Sequence, residues 1–149
     1  KGLFLQPLGD KAGRLSLWAE LGGVVSKNTN ELPSTQLFLA GGDHSVRGYA
    51  PGSIGIEQAN GLVLAGRYLA TGSLEWQRPI TINHQRSEWE SAVFVDAGTV
   101  SNTTQQLKTW IGVGVGARWR SPVGPVRIDL AYGQAVRKLR LHMNVGFTF

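Results

Sequence analysis

Nothing among the nucleophilic and titratable side chains of this 149-residue chain is spaced for catalysis. His44, His84 and His142 stand far apart and lack the short ligand spacings of a metal site. Ser45 follows His44 directly, but no third group orients the imidazole, and sequence neighbours rarely assemble a triad. Cysteine is absent, which excludes a thiolate nucleophile, a disulfide framework and thiolate metal ligation. Gly41-Gly42 is followed by neither a P-loop Lys nor a helix. The reading is of no enzyme, no cofactor and no metal. What remains is ion-pair chemistry. Arg47 sits in the run Val46-Arg47-Gly48-Tyr49, just after Gly41-Gly42. The glycines permit sharp backbone turns, so the guanidinium could extend from a tight turn towards a carboxylate.

The elements that must position such a contact are strands. Helical periodicity is nearly absent, and period-two alternation runs through the chain. It is clearest from Leu139 to Phe149, where Leu139, Leu141, Met143, Val145, Phe147 and Phe149 alternate with Arg140, His142, Asn144, Gly146 and Thr148. Ile111 to Trp119 alternates with Gly112, Gly114, Gly116, Arg118 and Arg120. Val126, Ile128, Leu130 and Tyr132 alternate with Arg127, Asp129 and Ala131. In Ser91–Gly98, Phe94 shares a side with Asp96; in Tyr68–Gln77 the polar side holds Thr71, Ser73, Glu75 and Gln77; Leu15–Gly22 completes the set. The reading is of six strands, with Leu3–Leu5 too short to count as a seventh.

Each strand carries one apolar face and one polar or glycine face. A soluble sandwich would join the apolar faces in a dry core; a membrane barrel would turn them to lipid. Three features favour the barrel. Arg118, Arg120, Arg127, Asp96 and Glu75 suit a wet lumen. A tight turn at Ser121–Pro125 contrasts with longer connections at Gly133–Lys138 and Thr99–Leu107, and outer-membrane barrels have short turns at one end. By parity Trp76, Trp119 and Phe149 point outward at one level, as an aromatic girdle does.

Composition agrees. Charged residues are 17% of the chain and hydrophobic ones 42%, too apolar for disorder. No run reaches the roughly 18 apolar residues of a membrane helix. The net charge of +5 and five Trp raise a nucleic-acid reading, but the cations are scattered, and only Arg137, Lys138 and Arg140 cluster. No nucleic-acid partner is expected. Six strands cannot close a membrane barrel, whose bacterial minimum is about eight, and open edges in lipid are costly. With Lys1 in place of an initiating Met and no signal-peptide pattern, the chain reads as processed or as a piece of something longer.

Residues 26–62 show no alternation, and a loop this long is usually functional or disordered. It is either a surface loop with a solvated Arg47 or a loop folded into the lumen and anchored by Arg47. The string Ala40-Gly41-Gly42-Asp43-His44-Ser45-Val46-Arg47-Gly48-Tyr49 resembles the VRGF/Y motif of the outer-membrane assembly-factor superfamily that includes BamA, TamA and FhaC. Thr71–Trp76, Ala92–Gly98 and Gly112–Asp129 are similar to the TamA branch in particular, and the resemblance covers roughly residues 35 to 149.

The resemblance implies a sixteen-stranded antiparallel transmembrane β-barrel in a bacterial outer membrane, preceded by POTRA domains. This chain would supply its last six strands and the lumen-entering loop. It implies a factor that assists insertion or secretion of β-barrel proteins such as autotransporters. The implied partners are membrane lipid, nascent β-barrel substrates, the rest of its own barrel and a TamB-like periplasmic protein. A BamA-like assembly barrel and a FhaC-like pore exporting one exoprotein are the alternatives, and a soluble β binding module is a third class. In the family the motif arginine reaches carboxylates on the two following strands, which match Glu75 and Asp96. The last strand forms a lateral gate, here Leu141, Met143, Asn144, Val145, Gly146, Phe147 and Phe149, where an incoming strand could pair with an exposed edge. Gly146 would weaken regular pairing or permit a kink.

Overall fold

The computed structural model describes residues 1–25, 36–83, 85–103, 107–122 and 124–146. Phe147, Phe149, His84 and residues 26–35 of the long loop lie outside the described residues. The chain forms antiparallel strands and no helix among the described residues: β1 (Gly2–Gly9), β2 (Gly13–Gly23), β3 (Ile56–Glu57), β4 (Val63–Leu64), β5 (Tyr68–Ile82), β6 (Gln85–Ser101), β7 (Trp110–Ser121), β8 (Gly124–Gly133) and β9 (Lys138–Val145). Seven of them make one sheet in the order β1-β2-β5-β6-β7-β8-β9, and β3-β4 is a separate pair.

The main sheet corrects the six-strand reading. β1 pairs with β2 from Gly2↔Ala19 to Gly9↔Gly13. Alternation could not show it, because Leu3, Phe4 and Leu5 are consecutive and all exposed, so apolar side chains lie on both faces. Backbone pairing, not a face pattern, makes β1 a strand. The long loop is also more structured than its lack of alternation implies. Phe38 pairs with Gly66 just beyond it and Ala40 with Ile54, and its last part joins residues 63–64 in the small β3-β4 hairpin.

The six alternating strands are inside out relative to a soluble protein. On β5 the buried side chains are Thr71, Ser73, Glu75 and Gln77, while Leu74 and Trp76 are exposed. On β6, Asp96 is 1% exposed and its neighbour Val95 49%. Val113, Val115, Leu130, Leu141 and Met143 continue the exposed apolar face. No second sheet covers that face among the described residues. An uncovered apolar face of this extent fits contact with an apolar medium such as lipid. The strands are long enough for one: β5 to β8 run 15, 17, 12 and 10 residues, against the roughly 9–11 that cross a bilayer.

Connections sort by length between the two ends of the sheet. At one end of the sheet only two or three residues separate β1 from β2, β5 from β6 and β7 from β8; at the other end β2–β5, β6–β7 and β8–β9 are separated by longer segments. On the apolar face near the tight turns, Trp89 and Trp119 stack with centroids 5.5 Å apart and planes 6° apart. Trp76 is on the same face, its indole N–H donating to the Ala12 carbonyl at 2.8 Å. Amphipathic rings at one level fit a membrane interface.

Candidate functional site

The loop enters from the long-connection end and packs on the polar face. Its own small core consists of Ala40, Val46, Tyr49 and Ile54 against Val100 of β6 and Trp110 of β7. Glycines make the approach possible. Gly48 has φ +92°, a conformation L side chains rarely adopt, and its backbone lies against that of Tyr132 and Gly133. At Gly112 a Cβ would collide with the Arg47 carbonyl oxygen. Tyr49 secures the next position: its hydroxyl donates to the Ile111 carbonyl at 2.9 Å and accepts from the Ala135 N–H at 3.1 Å.

These contacts aim Arg47 at three carboxylates. Its Nε and Nη2 fork onto Asp96 at 2.8 and 2.9 Å. Nη1 donates to Glu75 at 2.7 Å and to Asp129 at 3.1 Å, and Nη2 also reaches the Ser73 hydroxyl at 3.1 Å. All five guanidinium N–H groups therefore have acceptors. The Arg47 backbone N–H adds a bond to Asp96 at 3.0 Å. The Phe94 ring lies under the guanidinium, its centroid 3.3 Å from Cζ. Burial opposes the charge on Arg47, but Asp96 and Glu75 outweigh it and hold its pKa above the ordinary value. The side chain stays cationic.

Arg118 completes the network from β7. Its Nη2 donates to Glu75 at 2.9 Å and its Nη1 to Asp129 at 2.6 Å. Gln77 donates to Glu75 as well. Two guanidiniums thus face three carboxylates, leaving one net negative charge. The geometry reports curvature. β5 and β8 are three strand spacings apart, about 14 Å on a flat sheet, yet Glu75 and Asp129 both bond the Arg47 Nη1. The sheet curls towards its polar face, and Arg47 bridges the curl. Nearer the tight turns a second group repeats the arrangement without the loop: Glu90 of β6 bonds Arg14 of β2 at 2.8 Å and Arg120 of β7 at 2.6 Å.

The structure therefore brings Val46, Arg47, Gly48 and Tyr49 together with Glu75 and Asp96. Sequence reasoning placed Asp129 and Arg118 on polar faces but did not join them to Arg47. Only the curl of the sheet brings strands this far apart into contact. Phe94 stands on the polar side because it is the platform for the cation. Replacing it by Leu should cost about 0.5–2 kcal/mol of loop docking. Protease digestion of the loop should quicken without any change in the strands.

The proposed gate residues divide by face. Leu141, Met143 and Val145 lie on the exposed apolar face, and Asn144 is on the other, donating to Asp43 at 3.2 Å. Gly146 stands just past the end of β9 and outside its paired register with β8; its N–H donates to the Pro125 carbonyl at 2.9 Å, and Pro125 has no N–H to return.

Comparison with known proteins places this geometry. The Omp85 superfamily domain matches residues 4–149. Outer envelope protein 80, chloroplastic, of Arabidopsis thaliana is 31% identical over 122 residues, taking in 74% of this chain and 15% of that protein. The crystal structure of BamA from Haemophilus ducreyi lacking POTRA domains 1–3 superposes with a TM-score of 0.77 at 26% identity, over 99% of this chain and 34% of that one. The chain thus spans a minor part of each relative's length. A domain match over nearly the whole sequence, joined to an apolar-out antiparallel sheet, makes this chain a member of the Omp85 superfamily of outer-membrane proteins.

Proposed function

We propose that this chain is the C-terminal wall of an outer-membrane barrel that assists insertion or secretion of β-barrel proteins, in the manner of the TamA branch, with autotransporters among its substrates. The full barrel would have sixteen strands, with POTRA domains ahead of it and a TamB-like protein as periplasmic partner. The observation that carries the reading is the Arg47 clamp. A loop held by one fully bonded cation across β5, β6 and β8 is a structural plug with a defined release point. Insertion then needs no nucleotide, because burial of the substrate's apolar face and pairing of its backbone supply the driving force. The similarity to BamA supports a second reading, a general assembly barrel of the BamA type.

The test is complementation in cells depleted of the full-length protein, reading surface display of a newly made autotransporter. The unaltered protein should restore display, and Arg47→Ala should restore little of it. Val113→Ala, on the apolar face, should restore it fully. Normal display by Arg47→Ala with its loop demonstrably released would overturn the reading. A steady single-channel conductance with export of one exoprotein would point instead to a FhaC-like pore.

A further inference from the structure

The loop holds the last described strand as well as the middle of the sheet. The Gly48 N–H donates to Nε2 of His142 at 3.1 Å, and the Asn144 amide donates to Asp43 at 3.2 Å. His142 and Asn144 are alternate residues of β9, on the face opposite Leu141, Met143 and Val145. Gly48 follows Arg47 directly, so its N–H is fixed by the clamp on the preceding side chain. Between the two contacts lies a cavity of about 180 Å³, lined also by His44, Arg127 and Asp129. β9 is the edge of the described sheet, with β8 as its one backbone partner there.

We propose that His142 and Asn144 are positioning residues that couple the Arg47 loop to β9. While the loop is seated, β9 is held against it, and displacing either one loosens the other. Such coupling is reciprocal by thermodynamic necessity. His142 acts as an acceptor, so its ring is neutral with the proton on Nδ1. Glutamine at this position retains an acceptor, and alanine does not. The coupling rests on these contacts and not on the substrate of the barrel.

Hydrogen exchange on the full-length protein in lipid nanodiscs tests it without reference to activity. In His142→Ala with Asn144→Ala, exchange should rise roughly tenfold both in β9 and in loop residues 41–50. β5 to β7 should be unchanged. Asp43→Ala, altered only in the loop, should also speed exchange in β9. His142→Gln, alone, should keep most of the protection that His142→Ala loses. Faster exchange in β9 with an unchanged loop would overturn the coupling. If the double variant loosens β5 to β7 too, the fold has been lost, and Asp43→Ala alone decides. Accelerated β9 exchange in it supports the coupling, and unchanged exchange overturns it.

Discussion

Arg47→Ala is expected to release the loop while leaving β5 to β8 paired. Removing one partner of a buried ionic network costs about 3–5 kcal/mol, because the remaining charges stay buried without compensation. Here Glu75 and Asp129 would keep Arg118, Asp96 would lose its guanidinium partner, and the net charge of the cluster would go from one negative to two. The strand ladders do not pass through Arg47, so β5 to β8 should persist. Limited proteolysis of the full-length protein in membranes would then cut the loop near Gly41–Gly52 far faster than in the unaltered protein. Arg47→Lys should behave much like Arg47→Ala. An ammonium has three donors from one atom and cannot present the fork that engages Asp96 while also reaching Glu75 and Asp129. Arg47→Glu with Asp96→Arg should recover only part of the docking. The exchanged pair restores one contact, but it sets the introduced carboxylate beside Glu75 and Asp129. Equal cleavage of the unaltered and Ala proteins would show that the clamp does not hold the loop.

Gly112→Ala should give the same released loop with every charge in place. The added Cβ meets the Arg47 carbonyl oxygen, a backbone atom that cannot swing aside as a side-chain tip can. Overpacking of this kind costs about 1–3 kcal/mol, and the loop is the part free to yield. Gly112 is paired with Asp96 on β6 and Gly133 on β8, so the sheet itself tolerates alanine there. Proteolysis should again quicken at 41–52, with thermal unfolding of the barrel little altered. Paired with Arg47→Ala, this variant separates steric access from electrostatic hold. An unchanged loop in Gly112→Ala would mean that the close approach at β7 is not required for docking.

The strands were legible wherever one face is apolar and the other is not. Thr71, Ser73, Glu75 and Gln77 alternate with Leu74 and Trp76, and the structure buries the first set and exposes the second. β1 was not legible, because Leu3-Phe4-Leu5 has no polar phase and its membership rests on backbone pairing with β2. The inverted burial was legible through the polar-face charges, the alternation of short and long connections and the level of the aromatics. Alternation alone reads the same in a sandwich and a barrel; Arg118, Asp96 and Glu75 beside glycines, with those two other features, separated them. At the site, the motif directed attention to Arg47, Glu75 and Asp96. Asp129, Arg118 and His142 were beyond reach. Parity assigns a residue to a face, but contact between non-neighbouring strands depends on curvature, and contact with the loop depends on how deeply it descends. Gly48 and Gly112 read as ordinary turn and strand glycines until the loop backbone is seen against β7 and β8.

The central claim is that the apolar face of this sheet meets lipid while the polar face holds the Arg47 loop. It is tested most directly by cysteine accessibility in intact outer membranes, since the chain has no cysteine of its own. Val95, Val115 and Leu130, 49%, 55% and 44% exposed in the chain, would each be replaced by Cys in the full-length protein. Each would be treated with a water-soluble maleimide and, separately, with a lipid-phase one. The account predicts that all three resist the first reagent and react with the second. Rapid labelling of Val115→Cys and Leu130→Cys by the water-soluble reagent in the folded protein would contradict it.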